Sequence, residues 1–194
     1  MLKNEEINNK NEINNNLRSQ KSDIVQLTSS WKDYVPSMIY WSIIIAQFIL
    51  VFFTYNFFHL NFLYWFGWGL FGFFILLGGL PKQAFRKYGE IEKGKSHIYT
   101  TKLVDKGIYA VIRHPYWLSW ILISMSMTLI SQHWIMVILG IPAWIIIYLE
   151  TFLLDNRLIK KFGENYEEYR KKVPRLNLII GIIKYLRKTQ KESY

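Results

Sequence analysis

Four apolar segments alternate with polar and basic stretches along this chain. Residues 38–58 and 60–80 carry no charge. Residues 116–132 are uncharged and shorter, and residues 134–154 hold one charge, Glu150, near their end. A helix rises ~1.5 Å per residue and needs about 20 apolar residues to cross a ~30 Å hydrocarbon layer. The pattern predicts an all-α polytopic membrane protein with four transmembrane helices over these ranges. Residues 1–35 are rich in Asn, Glu and Lys and lack apolar periodicity, so they read as a disordered polar tail and not as a signal peptide. Residues 36–194 read as a single membrane domain.

Charge fixes an orientation for this arrangement. All 24 Lys and Arg residues fall in three places: 5 before the first segment, 8 between residues 81 and 115, and 11 after Leu154. The two short turns, at His59 and at Ser131–His133, have none. By the positive-inside rule both termini and the long loop are cytosolic, and the turns face outward. The expected architecture is two helical hairpins with a cytosolic loop and a C-terminal helical layer. Tyr40, Trp41, Tyr64, Trp65, Trp117, Trp120 and Trp134 lie toward segment ends, as interfacial aromatic belts do. Within the C-terminal layer, Leu158, Ile159, Phe162, Tyr166 and Tyr169 recur at helical spacing over 155–172. Residues 177–186 are apolar and then basic, a composition suited to the membrane interface.

Composition narrows the chemistry. The chain has 194 residues, 51% hydrophobic and 18% aromatic, with a formal charge of +10. The basic surplus is segregated rather than spread through a fold, so it holds the topology and meets anionic headgroups; no nucleic-acid partner is implied. With no cysteine, disulfides, thiolate zinc sites, iron–sulfur clusters and thiol nucleophiles are excluded, and no metal set is apparent. Gly67, Gly69 and Gly72 spell GxGxxG, but inside an apolar span rather than between a strand and a helix. They read as helix-packing residues, not a dinucleotide fingerprint.

Two stretches carry chemistry. In Leu103–Trp120, Pro115 fits the first turn of a helix, which sets His114 at a membrane boundary beside free N–H groups and the positive end of a helix dipole, a corner suited to an anion. Simple snorkelling of Arg113 and His114 is the alternative reading of the same residues. In Glu150–Arg175, Glu150 is an ionisable group within an apolar run, where such residues usually face a cavity, partner or ligand. Arg157 lies seven residues on, along the same helical face. Asp155 is expected at the water boundary.

Taken together, Leu103, Val104, Gly107, Tyr109, Arg113, His114 and Pro115, followed by Asp155, Phe162, Gly163, Tyr166, Tyr169, Val173, Pro174 and Arg175, resemble the isoprenylcysteine carboxyl methyltransferase and phospholipid methyltransferase family of integral membrane enzymes. The resemblance covers about residues 60–185. It implies S-adenosylmethionine-dependent methyl transfer to a lipophilic or membrane-accessible small acceptor. Leu103, Val104, Tyr109, His114, Pro115 and Trp117 are the implied cofactor-binding positions, and Glu150 and Asp155 the implied catalytic ones. Leu154 stands where the family usually has Glu, Trp117 where it has Tyr, and Ser119 where Gly is common. Glu150 stands where isoprenylcysteine-specific members carry an Arg. An Arg suits a carboxylate acceptor and a Glu repels one, so a cationic acceptor such as an amine fits better. Phospholipid or small-thiol methylation, an NADPH-dependent sterol-type reductase and a non-catalytic membrane scaffold are the alternatives.

Overall fold

The computed structural model describes residues 34–89 and 102–192. Every regular element among them is helical. In chain order these are α1 (Val35–Phe53), α2 (Asn61–Tyr88), a 3-10 turn (Gly107–Ala110), α3 (Pro115–Ser131), α4 (Trp134–Phe162), α5 (Glu164–Lys172) and α6 (Leu178–Glu192). The polar tail expected over residues 1–35 falls almost wholly outside the described residues, as do residues 90–101 of the 81–115 loop.

Three helices, α1, α2 and α4, are long and apolar enough to cross a membrane. The third apolar segment forms α3, of 17 residues. More of its residues are buried than in α1, α2 or α4, including Ser119, Ser124, Ser126, Thr128 and Ser131. The reason is its position: α2 packs along one side of α3 while α1 and α4 pack on others. Tyr40 and Ile44 of α1, Ile123 and Met127 of α3, and Met136 and Ile147 of α4 form the core between them. Gln47, Ser124 and Ser126 find their hydrogen-bond partners inside this bundle, as an apolar surrounding requires, whereas the buried Trp120 indole N–H has none among the described residues. Gln47 accepts from the Ser124 hydroxyl at 2.7 Å and donates to the Met136 carbonyl at 3.1 Å, and Trp144 donates to Ser124. The Ser126 hydroxyl donates to the Gly67 carbonyl at 2.8 Å, so Gly67 serves helix contact.

The boundaries differ from the sequence expectation in three places. The first segment stops at Phe53 rather than residue 58, and residues 54–60 form a turn in which Asn56 and His59 have positive φ. This turn is pinned to the second one. The N–H groups of Asn56 and Phe57 donate to the carbonyls of Ile130 and Ser131, and the Gln132 side chain bonds both the N–H and the carbonyl of Leu60, each at 2.9 Å. At the other end, α2 continues through Pro81 to Tyr88. Likewise α4 runs on past residue 154 to Phe162 and ends at Gly163 (φ +60°), so the helix expected over 155–172 is divided between α4 and α5.

Candidate functional site

Pro174 organises the site locally. A residue before proline is driven to extended backbone, and Val173 is extended (φ −109°, ψ 130°), which ends α5. The extended stretch then lies beside the foot of α3. The Arg113 N–H donates to the Pro174 carbonyl at 3.0 Å and the His114 N–H to the Arg175 carbonyl at 3.2 Å. Pro115 follows at the first position of α3. These pairings bring three side chains, from Arg113, His114 and Arg175, over one face of α4 at Asp155.

Asp155 is 1% exposed, not at the water boundary. The buried setting exists because its charge is met on every side. Arg113 Nη1 donates to Oδ2 at 2.9 Å, and Arg175 Nη2 and Nε donate to the same oxygen at 2.8 and 3.1 Å. His114 Nε2 lies 2.7 Å from Oδ1, and the Tyr166 hydroxyl donates to Oδ1. Arg113 Nε donates to the Val173 carbonyl at 2.9 Å, and the Arg175 guanidinium stacks 3.4 Å over the Phe152 ring.

Burial holds the His114 imidazole below its ordinary range; Asp155 pulls the other way, while Arg113 and Arg175 reinforce the depression. A neutral imidazole donating its Nε2–H to Asp155 fits this balance. Two guanidiniums then face one carboxylate, and the rim keeps one surplus positive charge. Its more accessible bearer is Arg175, whose side chain is 19% exposed against 7% for Arg113. Burial also raises the Tyr166 phenol, with the Asp155 hydrogen bond adding to the effect, and burial raises Tyr109 and Tyr169.

The implied cofactor-binding residues divide in space. Leu103 packs on the cluster of Tyr166, Tyr169 and Val173 and lines a cleft of about 480 Å³. The Tyr169 hydroxyl donates to the Tyr109 carbonyl at 2.7 Å, while the Tyr109 ring lies edge-on to Phe85. Val104, His114 and Pro115 are buried. Of the six implied positions only Leu103 lines that cleft; Val104, Tyr109, His114 and Pro115 lie behind or beside it, and Trp117 packs edge-on against Tyr40 of α1. Glu150 is also apart from the rim: it is 7% exposed, and its carboxylate accepts the Ser37 hydroxyl of α1.

Arg113, Tyr166 and Arg175 join the site without having been singled out as site residues in the sequence. The signal was there in outline, since each belongs to one of the two motif blocks. Ser37 had no such signal.

The cleft suits a zwitterionic nucleoside in kind. Leu103, Phe162, Tyr169 and Val173 give apolar and aromatic surface, and Asp105 and Glu168 give acceptors, while lysines supply donors for a carboxylate. No group of His, Cys, Asp and Glu that would hold a metal occurs among the described residues.

Fold and site together describe an all-helical protein with helices of membrane-crossing length and a buried, ion-paired rim at one end. Over 110 residues the chain is 29% identical to the protein-S-isoprenylcysteine O-methyltransferase of Schizosaccharomyces pombe (strain 972 / ATCC 24843). That alignment takes in 52% of this chain and 45% of the yeast protein, so the chain spans less than half of that relative's length. No family model matches the chain, and no solved structure matches it.

Proposed function

We propose that this protein is a membrane S-adenosylmethionine-dependent methyltransferase acting on a lipophilic or membrane-accessible small acceptor. One observation carries the reading. The two motif blocks, 103–115 and 155–175, are far apart in sequence yet meet at the Arg113–His114–Asp155–Arg175 rim. Similarity to an O-methyltransferase supports it.

S-adenosylmethionine, when bound, supplies a methyl group on a sulfonium that leaves without metal or covalent catalysis. Leu103, Phe162 and Tyr169 would pack on its adenosine, and Lys102 and Lys172 of the same cleft would meet its carboxylate. Asp155 is a positioning residue in this reading: a carboxylate has about four lone-pair sites, and all are engaged, so it orients His114 and the two arginines rather than exchanging a proton. Glu150, buried in the apolar part of α4, would orient a cationic acceptor such as an amine or take its proton. Trp117 would then border the acceptor rather than the cofactor. The acceptor would enter laterally from the bilayer. In this arrangement α3 is a fourth crossing helix, and both termini and the rim face the cytosol, with the 54–60 and 131–133 turns outside.

Calorimetry tests the reading. The purified protein should bind S-adenosylhomocysteine, and His114→Ala should weaken that binding about tenfold, equivalent to ~1.4 kcal/mol. Binding of NADPH in its place would identify a reductase, and binding of neither would identify a scaffold; either result overturns the proposal. Methyl-labelled S-adenosylmethionine incubated with membranes, followed by solvent extraction, would assign the acceptor to lipid, small molecule or protein.

A further inference from the structure

Helix α6 wears its apolar surface on the outside. At ~100° per residue, Leu178, Gly181, Tyr185 and Lys188 fall on one side. Gly181 is the point of contact with the body: a Cβ there would lie 2.1 Å from the Val111 carbonyl oxygen, so this approach requires glycine. Lys184, Tyr185 and Lys188 form part of the cleft wall. The adjoining arc carries Ile182, Leu186, Ile179 and Ile183, which are 44%, 56%, 73% and 45% exposed, and Ile180, 46% exposed, falls beyond it next to Arg187. An amphipathic helix of a water-soluble protein buries such a stripe against its own core. Here the stripe points away from the molecule it belongs to.

The charge pattern identifies what covers it. Over Leu178–Glu192 the helix has four cations, Lys184, Arg187, Lys188 and Lys191, against one acid, the terminal Glu192. Such cations are drawn to an anionic leaflet. Helices α1, α2 and α4 already put the body in reach of a bilayer. A second copy is a poorer occupant, because four side chains on one short helix fall well below the ~800 Å² per partner of a stable interface.

We propose that α6 is an in-plane anchor for an anionic phospholipid surface: its Ile179–Ile182–Ile183–Leu186 stripe sits at the boundary of headgroups and acyl chains, while Gly181 docks the other face on Val111 and makes the helix a membrane-held wall of the cleft. This inference is independent of the methyl-transfer reading.

The absence of native cysteine allows a clean test. Ile183→Cys is labelled with bimane, and the full chain is reconstituted in nanodiscs holding one copy, in phosphatidylcholine alone or enriched with phosphatidylglycerol. The label should be quenched by nitroxides near the lipid headgroup and shielded several-fold from aqueous iodide. A control label at exposed Glu167→Cys of α5 should stay open to iodide. Adding Lys184→Glu, Arg187→Glu and Lys188→Glu should reduce headgroup-nitroxide quenching most in the phosphatidylglycerol discs. Three results overturn the proposal: full iodide access at Ile183→Cys, quenching only by deep acyl nitroxides, or shielding that appears only in discs holding two copies.

Discussion

Asp155 owes its burial to partners distant in sequence, and that distance governs what removing it would do. Asp155→Ala would leave Arg113 and Arg175 facing one another inside the protein with no anion between them. Breaking a buried ion pair on one side costs about 3–5 kcal/mol. The loss should appear as a lowered thermal midpoint of the detergent-solubilised protein, with Asp155→Asn intermediate. His114 makes a pH-dependent contribution. The folded protein holds its imidazole below the ordinary 6.5, so the unfolded chain takes the proton first as pH falls. The stability this group lends is complete above about pH 6.5 and is lost as pH drops toward the folded value. Thermal midpoints measured from pH 8 to pH 5 should therefore decline, and His114→Gln should decline less steeply. The motif residues were legible as a set, but the burial of Asp155 was not. Its imidazole partner lies 41 residues earlier and its second guanidinium 20 residues later, and no local pattern announces such a convergence.

Among the elements, the apolar runs were legible and their ends were not. A charge marks where water begins, not where a helix stops. Nothing in 155–162 breaks the backbone pattern, so α4 continues to Gly163. In the other direction, Phe57 and Phe58 look like part of an apolar run, yet α1 has already ended because the turn's N–H groups are taken by carbonyls at the end of α3. Glycine tests both kinds of junction. Gly163 has φ +60° and ψ −135°, a conformation that a β-branched residue occupies only with strain of ~1–3 kcal/mol. Gly163→Val should destabilise by that amount in thermal unfolding. Gly181→Val would force α6 off the Val111 carbonyl. Spin labels on α5 and α6 should then report a broadened distance distribution, with the rest of the fold retained.

The whole molecule is tied at both ends. At one end Gln132 clasps Leu60 and Ser131 meets Thr54, locking the two turns together. Gln132→Ala would orphan the Leu60 N–H and should cost about 1–3 kcal/mol, read as a lower unfolding temperature in nanodiscs. The scarcity of Lys and Arg in both turns predicted that they share a side; their direct stitching needed three dimensions. At the opposite end, Asp155 gathers residues 113, 114, 166 and 175. The order of synthesis gives that knot a temporal meaning. By the time the ribosome has made α4, the carboxylate and its first two partners exist, but the clamp stays open until residue 175 has emerged. Until translation has passed that codon Asp155 lacks its second guanidinium, and a chain truncated before it cannot close the clamp.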